Sequence, residues 1–185
     1  MCKISLICKI RKIFCFRRRI PSQAYIIEKL IKSCKYKSYL ELGLYFGATY
    51  CYIKNFISDA DGVDMEYKNF IDKSHFFCMS TDEFFERNRD KRYDIIFIDA
   101  SHEFVQVKKD FDNSIALLNE NGVILLHDTD PHNKEYMAPN RCNDCYKMNE
   151  YLSTLENLNF VTIPLDETGL TIVKRKADLR YLRYV

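Results

Sequence analysis

Long apolar runs are missing from this chain. No stretch approaches the eighteen or so apolar residues of a membrane span, so no spanning helix is expected. No secretory leader is expected either: the apolar run over residues 4–8 is too short and leads into further basic residues. Residues 1–21 contain no acid and carry Lys3, Lys9, Arg11, Lys12, Arg17, Arg18 and Arg19, a charge of +7. With +2 overall and +4 over residues 174–185, the body between them is left at −9. An acidic body excludes a domain-wide nucleic-acid surface and confines any such contact to a basic arm. Glycine is scarce, with only Gly43, Gly47, Gly62, Gly122 and Gly169, and the G-x-G-x-x-G of dinucleotide folds is absent.

The composition that remains is that of a folded domain. A 47% hydrophobic content supplies a core, and 29% charged with 14% aromatic residues argues against disorder. The reading divides the chain into a basic extension over 1–21, a body over 22–176 and a basic tail over 177–185. In the extension, Leu6, Ile7, Ile10, Ile13 and Phe14 share one helical arc while Lys9, Arg11 and Lys12 fall outside it. Peripheral membrane contact through residues 1–20 stands there beside a helix packed on the body or a loose tail. Eight cysteines without a leader predict reduced thiols and a cytoplasmic protein. Cys8, Cys15, Cys34, Cys51 and Cys78 sit among apolar residues, as small buried thiols do.

Hydrophobic periodicity alternates between strand and helix. Helical patterns are expected over 22–34, 48–57, 81–88, 103–122 (stopping at Gly122) and 143–157. Strands are expected over 38–44, 61–65, 75–80, 93–100 and 122–129. A final antiparallel pair is expected over 160–166 and 169–176, with Pro164 marking an edge or bulge. The runs at 93–100 and 122–129 are continuously apolar, the pattern of strands buried on both faces. This order predicts an α/β fold, a Rossmann-like doubly wound sheet, mostly parallel.

Ligands of such sheets bind beyond the carboxyl ends of the strands, and several residues collect there. Gly43 and Gly47 in "ELGLYFGATY" open the first turn. Asp64, 21 residues after Gly43, ends the next strand where a carboxylate can hold ribose hydroxyls. Ser80, Thr81 and Asp82 follow the third strand; they can face an adenine-like ring or simply cap a helix. Asp99, with His102 three residues on, ends one buried strand, and His127–Asp128 ends another. Paired carboxylates can hold Mg²⁺, and a neutral imidazole can take a proton from a hydroxyl. His127, His132, Cys142 and Cys145 have zinc-ligand types, but their order and spacing do not favour zinc.

These stretches, with "YDIIFIDASHEFVQVKKDFDNSIALLNENGVILLHDTDP" the most specific, resemble class I S-adenosylmethionine-dependent methyltransferases over residues 39–175. Within that class they resemble the small-molecule, macrocin-type sugar O-methyltransferases. The resemblance implies a seven-stranded sheet with a C-terminal antiparallel pair. It implies that Glu41, Gly43 and Gly47 hold the methionine part of the cofactor, Asp64 its ribose, and Met65, Thr81 and Asp82 its adenine side. It implies that Asp99 lies near the methyl group and, as in the metal-dependent relatives, serves as a metal ligand together with Asp128, with His102 and His127 as candidate bases. The implied activity is O-methylation of a small-molecule or glycan hydroxyl, with S-adenosylmethionine and Mg²⁺ as cofactors. The chain departs from the pattern in pairing His127 with Asp128 at strand five, where relatives often carry two acidic or amide ligands. Two other readings stand beside it: a catalytically silent methyltransferase-like binding protein, and a membrane or nucleic-acid adaptor acting through the basic arm.

Overall fold

The parity of side chains along the central strands decides the layers. Successive residues of a strand point to opposite faces. In β4 (Tyr93–Ile98) and β5 (Leu118–His127), Ile95, Phe97, Val123 and Leu125 join one buried cluster, while Ile96, Ile98, Ile124 and Leu126 join the other. In β1 (Ser38–Leu42), Tyr39 goes with the first and Leu40 and Leu42 with the second. A strand apolar on both faces must be covered on both, and helices supply the cover. The computed structural model describes residues 20–68 and 71–176; the expected basic arm, with its membrane-contact reading, and the tail over 177–185 fall almost wholly outside them.

One face is covered by α1 (Ser22–Cys34) through Ile27 and Ile31 and by α2 (Ala48–Ile53) through Tyr50 and Ile53. The other is covered by α3 (Thr81–Arg87) through Phe84, α4 (Phe104–Leu117) through Val107 and Phe111, and α5 (Lys147–Ser153) through Met148 and Leu152. With β2 (Asp59–Asp64), β3 (Phe76–Cys78), β6 (Leu158–Ile163) and β7 (Leu170–Arg175), the sheet has seven strands in the order β3-β2-β1-β4-β5-β7-β6. β1 to β5 pair in parallel, and β7 runs antiparallel to both β5 and β6. The expected fold class and closing pair are found, and Pro164 follows the end of the edge strand β6. Among the described residues no helix is long and apolar enough to cross a membrane.

The boundaries differ where side chains outside the hydrophobic pattern intervene. α2 stops at Ile53, short of 57, because the Asn55 amide donates to the carbonyls of Cys51 and Tyr52 at 3.0 and 2.9 Å. α4 stops at Leu117, not at Gly122. Leu118 is extended and pairs with Tyr93, and the Arg175 guanidinium, distant in sequence, donates to the carbonyls of Ile115 and, at 3.1 Å, Leu118. Gly122 lies inside β5, where a Cβ would stand 2.8 Å from the Asp94 carbonyl oxygen, so it serves close packing between strands. α5 is only Lys147–Ser153; the hydroxyls of Ser153 and Thr154 donate back to the carbonyls of Glu150 and Tyr151 at its end. The expectation of buried thiols fails at Cys34 and Cys78, which are exposed, and at Cys51, which is partly so; among the described residues Cys142 and Cys145 are the buried ones, and Cys8 and Cys15 lie outside them. Each of the exposed pair lies at the last residue of its element, where the chain leaves the core.

Phe111 is fully buried among β4, β5 and α5 residues. Phe111→Ala is expected to cost about 3–5 kcal/mol, read as a lower urea midpoint at unchanged slope.

Candidate active site

The order of strands reverses direction between β1 and β4, and a crevice forms there beyond their carboxyl ends. Gly43, at φ +82°, closes that crevice from the β1 side. A Cβ on it would lie 2.3 Å from the Asp99 carbonyl oxygen and 2.4 Å from the Ala100 Cα. Only a residue without a side chain lets the first turn press on the end of β4. Gly47 follows as the N-cap of α2.

Asp64, at the tip of β2, grips this turn. Its Oδ2 accepts from the amides of Leu44 and Tyr45 at 3.0 and 3.1 Å and lies 3.4 Å from the buried Lys68 ammonium; its Oδ1 accepts from the Glu66 amide at 2.8 Å. Tyr45 is thereby held at φ +46°, a left-handed conformation costly for a side chain of its size. Glu41 lies beneath the turn and is buried. Burial pushes its carboxyl well above the usual range, assisted by the nearby Asp99 charge and opposed by hydrogen bonds from the Tyr39 hydroxyl (2.5 Å) and the Tyr50 amide.

Across the crevice stand two carboxylates and two imidazoles. Ile98 pairs with Leu126 in the parallel register of β4 and β5, which sets Asp99 beside His127. Asp128 follows at φ +61°, its amide bonded to the Gly169 carbonyl at 3.1 Å, and this left-handed turn folds its carboxylate back toward Asp99. His102 Nε2 is 3.1 Å from Asp128 Oδ2 and 3.9 Å from Asp99 Oδ1. His127 Nδ1 is 2.9 Å from Asp128 Oδ1 and 3.4 Å from Asp99 Oδ1, but it is buried and off the line that a hydrogen bond requires. Asp99 and His102 keep 27% and 36% of their side-chain surface exposed against 8% for Asp128, so they are the members an incoming molecule can touch.

The cluster sets its own protonation. Burial alone would raise the Asp99 carboxyl, but the His127 charge and the contacts with both imidazoles bring it down to about 2. Contact with Asp99, against burial, raises the His102 imidazole above its usual value. Burial works to lower His127, but the charges and contacts of Asp99 and Asp128 raise it well above that value. Both imidazoles are thus biased toward the cation.

The remaining predicted residues take several places. Met65 is 78% exposed beside the crevice. Ser80 caps α3 by accepting from the Glu83 amide at 3.2 Å. Thr81 and Asp82 both accept from Gln106 at 3.2 Å, and Asp82 pairs with Lys109 at 2.6 Å, so their side chains engage α4. His132 lies outside the cluster, its amide bonded to the Glu167 carbonyl. The sequence reading missed a set of supports. The Cys142 thiol hydrogen-bonds Asp128, and burial with that charge pushes it up to about 12. Cys145 Sγ donates to the His127 carbonyl at 3.8 Å, and the Asp144 carboxylate accepts from the Phe104 amide at 2.7 Å, capping α4 from 40 residues away. Only the Cys-x-x-Cys marked this segment.

A family model described as a methyltransferase domain matches residues 40–129, from β1 through the end of β5. Over that stretch, just under half of its length, the chain is similar to a methyltransferase domain. Solved structures share the fold. A candidate caffeoyl-CoA O-methyltransferase from Staphylococcus aureus is 19% identical over 95% of this chain and 93% of its own, with a TM-score of 0.69. An O-methyltransferase from Bacillus cereus, in complex with SAH, is 14% identical over 86% of this chain and 83% of its own (TM-score 0.65). MycE methyltransferase from the mycinamycin biosynthetic pathway, in complex with Mg, SAH and mycinamycin VI, is 16% identical over 83% of this chain and 49% of its own (TM-score 0.60). At these identities the likeness is one of fold. No curated protein matches the chain.

The protein should carry this cluster into its stability. The two raised imidazoles contribute stability that is fully present below their unfolded pKa of about 6.5 and is lost as pH rises through their folded values. Asp99 contributes above its unfolded value of about 3.9, and its part is lost as pH falls toward 2. Urea midpoints should therefore be lower at pH 9 than at pH 5.5, and the difference should shrink in a His102→Asn/His127→Asn double variant. Equal wild-type midpoints at the two pH values would contradict the assignment.

Proposed function

We propose that the protein transfers the methyl group of S-adenosylmethionine to a hydroxyl oxygen of a small molecule or glycan, and that the crevice between β1 and β4 is where this occurs. The observation that carries the reading is the meeting of the Gly43 turn with Asp99 at the strand-order reversal, with His102, His127 and Asp128 on the acceptor side. S-adenosylmethionine, when bound, supplies the methyl on a sulfonium, for in-line displacement by the acceptor oxygen.

The chain's residues divide the rest. The Gly43 turn and Glu41 form the floor against which the methionine part lies. Asp64 keeps lone-pair capacity on Oδ1 for ribose hydroxyls while its Oδ2 fixes the turn. Met65, Thr81 and Asp82 border the adenine side. Asp99 orients the acceptor, and His102 or His127 takes the hydroxyl proton once it has lost its own. Positioning supplies much of the rate, since the two reactants are held at a fixed distance. Asp99 and Asp128 would hold a divalent cation, which would lower the pKa of the acceptor hydroxyl. The macrocin-type grouping belongs to this reading, through an acceptor of sugar character. A cytoplasmic setting belongs to it too, supported by reduced thiols at Cys34, Cys78, Cys142 and Cys145.

Calorimetric titration with S-adenosylmethionine, with and without Mg²⁺, tests the proposal. Binding is expected, and its absence in both conditions defeats the reading. With an acceptor in hand, Asp99→Asn should lower turnover by about 10²-fold or more, and the wild-type rate should rise with pH through an inflection above about 6.5. Unchanged turnover in Asp99→Asn would remove Asp99 from the mechanism, and no turnover across a broad acceptor panel would favour a silent binding protein.

A further inference from the structure

Asp99, His102 and Asp128 come from three separate places on the chain, and one ligand atom of each lies within 4.8 Å of the others. Two donors about 2.1 Å from one ion lie about 3.0 Å apart at a right angle and about 3.4 Å apart at a tetrahedral one. The 3.1 and 3.9 Å separations of His102 Nε2 from Asp128 and Asp99 bracket the tetrahedral figure. Both outer ligands have the support that metal ligands need. The His102 ring, with Nε2 toward the carboxylates, hydrogen-bonds the Arg141 backbone carbonyl, and Asp128 accepts from the Cys142 thiol. The buried, unbonded Nδ1 of His127 faces the same two carboxylates. A second grouping, Asp59, Asp61 and His75, has no such opening, since the Lys91 ammonium sits 2.6 Å from Asp61 Oδ2.

The donor chemistry does not match Mg²⁺ well. Mg²⁺ takes oxygen ligands and keeps its waters, whereas an imidazole beside carboxylates suits first-row transition ions. We infer that His102 is a metal ligand and that the Asp99–His102–Asp128 site takes a first-row transition divalent cation in preference to Mg²⁺. The inference deepens the proposed function by naming the ion of the same crevice.

The test is calorimetric titration of the full chain with Co²⁺ alone and with Mg²⁺ alone. Co²⁺ should bind to the wild type with visible d–d absorption and Mg²⁺ much more weakly. His102→Ala should lose about tenfold or more in Co²⁺ affinity. His102→Asp, which makes the donor set all oxygen, should gain for Mg²⁺ while losing for Co²⁺. If His102 is only the ion-pair partner of Asp128, removing it frees a carboxylate, and His102→Ala binds both ions as tightly as the wild type or tighter; that result overturns the inference. Equal wild-type affinity for the two ions, or none for Co²⁺, also overturns it. Proton NMR of the wild type needs no variant: Co²⁺ should move the His102 ring signals far outside the diamagnetic range, and unmoved signals count against ligation. Titration with S-adenosylmethionine is a separate arm. Cofactor binding without Co²⁺ preference defeats this inference alone, and Co²⁺ preference without cofactor binding defeats the methyl-transfer reading alone.

Discussion

Two carboxylates end neighbouring parallel strands, and unrelieved they would repel across the crevice. How that repulsion is met organises the carboxyl edge of the sheet. The register of β4 on β5 places Asp99 beside His127, and the left-handed turn at Asp128 brings the second acid to the same point. His102 arrives from the loop before α4 and stands between the two acids. Glu41, the third acid nearby, is biased by burial toward its neutral form. Two negative groups and two imidazoles then form a balanced set in which removing any one leaves its neighbours uncompensated. A cation entering this set competes with the protons on the imidazoles.

Much of the fold could be read from the sequence because parity and period are local. The continuously apolar runs around Ile95 and Ile124 announced strands covered on both faces, and the spacing of Val107 and Phe111 announced a helix over one of them. Where the reading failed, the deciding atom came from elsewhere in the chain or lay outside the hydrophobic pattern. α4 ends where Arg175 takes its carbonyls, and no pattern within residues 103–122 contains that fact. Gly122 looked like a helix stop; its reason is the Asp94 carbonyl against which it packs.

The site was legible in its residues and less so in their division of labour. Asp99, Asp128 and both histidines were recognisable as strand-end polar groups, and the fold brings all four together. Asp64 was read as a ribose acid, but its first partners are the amides of Leu44 and Tyr45, a role set by three-dimensional proximity to a loop 20 residues earlier. Thr81 and Asp82 were read toward the cofactor, and their side chains meet Gln106 and Lys109. The supports of the cluster, Cys142 and the Arg141 carbonyl, lie in a turn-rich segment with no periodicity to announce it.

The contact of Gly43 with the Asp99 backbone has a mechanical meaning. With no room for even one methyl group between them, the first turn and the end of β4 share their coordinates, and neither can slide without carrying the other. Whatever rests on the turn and whatever meets the Asp99 carboxylate are therefore gauged from a common origin, as two jaws cut from one block. Adjusting the gap between them by loop motion is closed to this chain. Variation in what the crevice accepts has to come from its outer wall, in the segment after Asp128, which touches the cluster through side chains and single carbonyls and can change without disturbing the block.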